Sequence, residues 1–155
     1  MNSYCLRSCQ IRISDAMKYE YGLLYSPDEH GRYRKRPMIE VELRGPNGTF
    51  RALALVDSGA DRSLVHREIA DVLGLDYRKG RRRQVIGVSG ITDVWYAEMA
   101  MRFPHSRSEL MIPVGIIDTP YVGVLLGQEG FFDLHRITFA RAQNMFAITQ
   151  LKRRQ

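Results

Sequence analysis

From Met38 onward, apolar and charged positions alternate: Ile39, Val41 and Leu43 are apolar, and Glu40, Glu42 and Arg44 fall between or beside them. A period of two puts the sets on opposite faces of a strand, one buried and one wet. Pro46-Asn47-Gly48-Thr49 supplies a hairpin turn. The next strand, Phe50 to Val56, is apolar at nearly every position after Arg51, so it is expected to be central, with both faces covered, and it ends at Asp57. A short helix is predicted over His66 to Leu73, with Ile69, Val72 and Leu73 on one side and Gly74 as its stop. Gln84 to Ile86 open a second hairpin through Gly87-Val88-Ser89-Gly90, and its return strand carries Trp95, Ala97, Met99, Met101 and Phe103 on a single, core-facing side.

The remaining pattern is of the same kind. A turn at 104–108 precedes strand-like segments over 110–117 and 121–126, and Pro113, which has no N–H to give a ladder, implies that the first is an edge or is bulged. One or two helical turns fit 127–135, and a last hairpin joins Ile137–Phe139 to Met145–Ile148 around Arg141-Ala142-Gln143-Asn144. Short strands about every ten residues with few helices indicate an all-β, closed or sandwiched architecture. No internal repeat is visible.

Residues 1–37 lack this order. They end in a polar, basic stretch at 26–37 punctuated by Pro27, Gly31 and Pro37, which reads as a linker or long loop. The expected organisation is an N-terminal extension and basic linker at 1–37, one domain at 38–150 and a basic tail at 151–155. A chain of 155 residues with 45% apolar content suits one domain with a buried core. No apolar run approaches the roughly 18 residues that cross a bilayer, and the first 25 residues lack a leader pattern, so a cytoplasmic protein without membrane contact is expected. The two cysteines, Cys5 and Cys9, would close only a tiny disulfide loop and are read as reduced thiols. His30, His66, His105 and His135 offer no second pair of matching spacing, so no metal and no cofactor is expected.

A net charge of +6 and a pI near 9.6 permit attraction to nucleic acid or to acidic peptides. The excess lies in Arg32, Arg34, Lys35 and Arg36, in Arg78, Lys79, Arg81, Arg82 and Arg83, and in Lys152, Arg153 and Arg154. These clusters read as a solvated linker, the flank of a turn, and a tail. Nucleic-acid binding through the first two ranks last among the functional readings, since no nucleic-acid fold accompanies the charge.

Ala54-Leu55-Val56-Asp57-Ser58-Gly59-Ala60 carries the candidate chemistry. A carboxylate at the end of a buried strand is held rigidly while its oxygens face a cleft, Ser58 locks the turn through its hydroxyl, and Gly59 admits close approach of substrate. Alone, the segment also reads as a plain turn in which Asp57 accepts a bond from the backbone two residues on. Average residue usage gives such a pattern in on the order of one chain per thousand of this length. His66 has no neighbouring Ser or Cys that would make it part of a nucleophilic pair.

The segment resembles the active-site motif of aspartic proteases, Asp-Thr-Gly or Asp-Ser-Gly behind two apolar residues. Two further elements fit the retropepsin-like (retroviral-type) family. Gln84 to Ile91 resembles the glycine-tipped flap, with Gly87 about thirty residues past Asp57. Val124-Leu125-Leu126-Gly127 resembles the strand that threads beside the catalytic loop and runs into a short helix. The resemblance covers 38–150 and is nearest to the bacterial branch, given the N-terminal stretch and the hairpin after Phe132. It implies a retropepsin-like acid-protease barrel with one or two short helices, half a site completed by homodimerisation, and a peptide or protein substrate.

By the same resemblance, Asp57, Ser58 and Gly59 are catalytic, and Gly59, Ala60, Asp61, Ile86, Gly87, Val88, Ser89 and Gly90 bind substrate. Ser58, Leu125, Leu126, Gly127 and Gln128 are dimer or structural positions. Gln128 is a departure: many retroviral enzymes carry an arginine there, paired with the acidic residue matching Asp61. Aspartic proteases, the standing example of this chemistry, need two carboxylates about 3 Å apart sharing one proton. Asp61, Asp71, Asp76, Asp93, Asp118 and Asp133 all lack the following hydroxyl and glycine, so the second carboxylate is expected from a second copy. The competing expectation is a catalytically silent module of the same fold that binds peptides or dimerises a partner.

Overall fold

The alternation at 38–44 becomes strand register in the computed structural model, which describes residues 16–23, 30–87, 90–106, 108–120 and 123–151. In chain order the strands are β1 (Met17–Glu20), β2 (Gly22–Leu23), β3 (Lys35–Arg36), β4 (Met38–Gly45), β5 (Gly48–Val56), β6 (Ser63–His66), β7 (Arg82–Gly87), β8 (Gly90–Arg102), β9 (Leu110–Ile117), β10 (Val124–Leu126), β11 (His135–Ala140) and β12 (Met145–Gln150). One helix, α1 (Arg67–Val72), follows β6, and short 3-10 turns occupy 77–79, 132–134 and 141–143. The expected all-β class with little helix is what the chain adopts.

Seven strands form a sheet in the order β4-β5-β10-β6-β9-β8-β7. The end of β8 also pairs with β4, Glu42 opposite Arg102 through Arg44 opposite Ala100. This closes six strands into a barrel and leaves β7 outside it, paired among the described strands with β8 alone. The barrel fills with Val41 and Leu43 from β4, Val56, Met99 and Met101, Ile112, Val114 and Ile116, and Leu126, each at most 2% exposed. Burying side chains of this size stabilises the fold by about 1.5–3 kcal/mol apiece before entropy is counted.

Three local expectations are corrected. Val72 is 61% exposed, while Ala70 and Leu73 are buried with Ile69 beside them. At 100° per residue, positions 69, 70 and 73 share one stripe and 72 falls off it. Pro113 is not on an edge strand, because β9 lies between β6 and β8. Only β8 runs beside it at Pro113; β6 joins one residue later, with Ser63 opposite Val114, so the missing N–H costs no ladder bond there. β5 has a strand on each edge, but its outward face stays open at Leu53, which is 40% exposed.

Part of the N-terminal stretch is woven into a second sheet, β1-β12-β11. Met17 pairs with Ile148 and Glu20 with Met145, and the buried Tyr21 donates its N–H to Asn144 O at 3.1 Å. Among the described residues, β2 and β3 pair only with each other.

A polar cluster sits in the seam between this sheet and the barrel. The Tyr19 hydroxyl meets His105 Nδ1 at 3.0 Å, His105 and His135 rings lie edge to face at 4.8 Å, and His135 Nδ1 donates to Phe131 O at 2.7 Å. Both Nε2 atoms are buried without a hydrogen-bond partner. Burial pushes the Tyr19 phenol up to about 12, so it keeps its proton. Burial, reinforced by His135, brings His105 down to about 4, and burial also lowers His135. The unfolded chain takes up a proton on His105 near pH 6.5, whereas the folded chain resists until about pH 4. Stability is therefore full above pH 6.5 and falls as pH drops toward 4, by up to about 3 kcal/mol from His105. His105→Phe, which keeps the ring, should flatten the stability profile across this window. Urea melts of both proteins at pH 7 and 4.5 measure the difference, and parallel profiles would mean that His105 is not held neutral.

Candidate active site

Asp57 follows the buried Val56, and both are tied to the barrel through the backbone: Val56 N–H donates to Pro37 O at 2.9 Å and Asp57 N–H to Leu126 O at 3.0 Å. The chain then turns sharply. Asp57 Oδ1 accepts the Gly59 N–H at 2.9 Å, and Ala60 N–H reaches Asp57 O at 3.3 Å. The turn chemistry of an Asx residue and a fixed carboxylate are thus the same feature. Ser58 and Gly59 are exposed, as is Asp61, while Asp57 and Ala60 are half-buried.

Behind the turn runs the segment that begins with β10. Its Val124–Leu126 stretch lies parallel to Ala54–Val56 and antiparallel to Leu64–Val65, so it is inserted between the strands that enter and leave the loop. Contacts then continue residue by residue. Gly127 N–H donates to the buried Ser63 Oγ at 3.1 Å, Gln128 N–H to Ala60 O at 2.8 Å, Gln128 Nε2 to Ser58 O at 2.7 Å, and Glu129 N–H to Asp61 O at 2.9 Å. Arg62 bridges to Glu129 through the backbone and forms an ion pair with its carboxylate. A Cβ on Gly127 would lie 2.5–2.8 Å from Arg62 C and O and from Ala60 O, so only glycine fits.

The structure therefore brings Asp57, Ser58, Gly59, Ala60 and Asp61 into one unit with Leu125, Leu126, Gly127 and Gln128. Sequence reasoning missed Ser63, Arg62 and Glu129, which hold the loop from behind. Their signal was opposite charge and a hydroxyl immediately beyond the two recognised motifs. Arg62 also stacks over the Tyr96 ring at 4.5 Å, linking the loop to β8.

The hairpin of β7 and β8 pairs from Arg82 with Trp95 to Gly87 with Gly90. This puts Ile86, Gly87 and Gly90 at its end; Val88 and Ser89 lie outside the described residues. Gly90 has φ 112°, a conformation that side chains disfavour, and Ile91 beside it is 67% exposed. At the base, Arg82 pairs with Asp93 and lies 5.5 Å from the Trp95 ring, whose edge meets Tyr77. Arg78 and Lys79 are likewise paired, with Asp71 and Asp76, so much of the basic cluster at 78–83 is locally balanced.

Among the described residues no group of three or more His, Cys, Asp or Glu could hold a metal ion, and no described helix is long and apolar enough to cross a membrane.

The aspartyl protease family profile matches residues 39–129, from β4 through the Asp57 loop and the hairpin to Glu129. Among solved structures, the chain is similar to a retropepsin-like aspartic protease from Rickettsia conorii, with 14% identity and a TM-score of 0.57 over 84% of this chain and 98% of that one. It is also similar to the EIAV protease complexed with the inhibitor HBY-793, with 24% identity and a TM-score of 0.45 over 61% and 84% of the two chains. No curated protein matches it in sequence. The match across the whole Asp57 unit, on a barrel of this topology, means that the chain belongs to the aspartyl protease family, with a retropepsin-like fold.

Proposed function

We propose that the protein is an aspartic endopeptidase that acts as a homodimer, with Asp57 of two subunits sharing one site. The observation that carries this is a single carboxylate, fixed by the Gly59 N–H on a loop clamped residue by residue, in a chain with no second motif of the kind. A twofold axis beside the loop would bring two such carboxylates together. Close carboxylates cannot both ionise, so one keeps a proton. The ionised one takes a proton from water as the oxygen attacks the peptide carbonyl, and the protonated one donates to the carbonyl oxygen. Collapse of the tetrahedral intermediate breaks the C–N bond, with a proton passed to the leaving nitrogen.

In this reading Gly59, Ala60 and Asp61 contact the substrate backbone, and Ile86 to Gly90 close over it. Ser58, with Leu125, Leu126, Gly127 and Gln128 behind it, meets the partner's loop. No cofactor is needed. A cytoplasmic setting follows from reading Cys5 and Cys9 as thiols.

Digestion of a peptide library at several pH values, with sedimentation on the same preparations, tests the proposal. Cleavage on the acid side by a dimer, or by a species that dimerises on substrate, is expected. A strictly monomeric protein that cleaves through Asp57, or a flat rate between pH 4 and 9, would overturn it. Peptide binding without cleavage at any pH would mark the silent module instead.

A further inference from the structure

We infer that Gln128 is a positioning residue for Asp57, acting through the Ser58–Gly59 peptide unit. The Ser58 carbonyl and the Gly59 N–H are opposite edges of one planar amide. Gln128 Nε2 grips the oxygen edge at 2.7 Å, and Asp57 Oδ1 takes the N–H edge at 2.9 Å. The plate is thus held from both sides, and turning it breaks both bonds together. A carbonyl oxygen only accepts, so the Gln128 amide must present its NH₂. The base of the side chain is fixed as well, because Gln128 N–H is bonded to Ala60 O at 2.8 Å, leaving few rotors to order.

The arrangement differs from the pairing expected by resemblance, in which the residue after the glycine reaches the acidic side chain matching Asp61. Here Asp61 is exposed and is held through its backbone oxygen by Glu129 N–H, whose side chain pairs with Arg62. The grip has moved from a side chain at the loop's far end to the peptide next to the carboxylate. Gln128 is then a control point for the orientation of Asp57, a role that rests on the protease reading above.

The inference is tested with Gln128→Ala and Gln128→Glu. Glutamate can donate to Ser58 O only while protonated, so its grip is switched by pH. Gln128→Ala should lower kcat about tenfold with little change in KM, the effect of one lost hydrogen bond. Gln128→Glu should recover toward wild type below about pH 4 and fall to the alanine level or lower above pH 6, where its carboxylate would meet the Ser58 carbonyl oxygen with no proton between them. A purely structural role would instead give equal losses at every pH that follow the melting temperature. A readout independent of activity is amide exchange at Gly59, which should quicken about tenfold in Gln128→Ala while Asp57 N–H, bonded to Leu126, is unchanged. An unchanged Gly59 rate in Gln128→Ala, or a ratio of Gln128→Glu to wild-type kcat that is flat with pH, overturns the inference. Wild-type protein that cleaves nothing overturns the protease reading alone, and the exchange rates then judge Gln128.

Discussion

Peptide cleavage by Asp57→Asn protein is expected to fall at least about a thousandfold, with the fold intact. Asparagine keeps the shape of the side chain, and its carbonyl oxygen still accepts the Gly59 N–H that Asp57 Oδ1 accepts at 2.9 Å. It loses the ability to carry or share a proton, which is the chemistry proposed. A sharper form of the experiment mixes wild-type and Asp57→Asn subunits. If each site draws one carboxylate from each of two copies, activity follows the square of the wild-type fraction, and an equal mixture keeps about a quarter of it. An equal mixture that keeps half, after exchange of subunits has been verified, would mean that each chain holds a complete site.

The second large effect is expected at Gly127→Ala. The added methyl would sit 2.5–2.8 Å from backbone atoms of Arg62 and Ala60, neither of which is a flexible side-chain end. Relief requires β10 and the loop to part, which strains the Leu126–Asp57, Gly127–Ser63 and Gln128–Ala60 bonds together. Overpacking of this kind should cost about 3 kcal/mol or more and lower the melting temperature by about 10 °C. Activity should fall further than stability predicts, because the displaced loop carries Asp57. Gly59→Ala is the control: its methyl meets only Asp57 Oδ1, at 3.3 Å, so it should melt close to wild type. Equal melting temperatures for Gly127→Ala and wild type would contradict the clamp described above.

Elements with strong local patterns are legible in the sequence. The alternation of β4, the apolar face of β8 and the stop of α1 at Gly74, which has φ 71°, all follow from periods and a left-handed glycine. Long-range pairing was not. β1 is four residues long, too short for its alternation to stand out, and its partner β12 is at the other end of the chain. Nothing local signalled that Pro113 would fall just before β6 joins β9. The same limit applies around Asp57, where the two motifs were visible separately but the pairing of Arg62 with Glu129 was not, and in the seam between the sheets, where His105 meets His135: both contacts arise only when distant segments meet.

The insertion of β10 between β5 and β6 has a consequence for the timing of biosynthesis. Both strands flanking the Asp57 loop are made early, but the piece that belongs between them comes at 124–126, after β7, β8 and β9. A nascent chain that has not yet emerged past this point has a gap in its barrel, and every bond from 126–129 to the loop is missing. Contacts this distant in sequence also form slowly, since loop closure must precede their reward. The Asp57 loop is therefore among the last parts of the molecule to become ordered, and a partly synthesised chain carries Asp57 without the contacts that fix it.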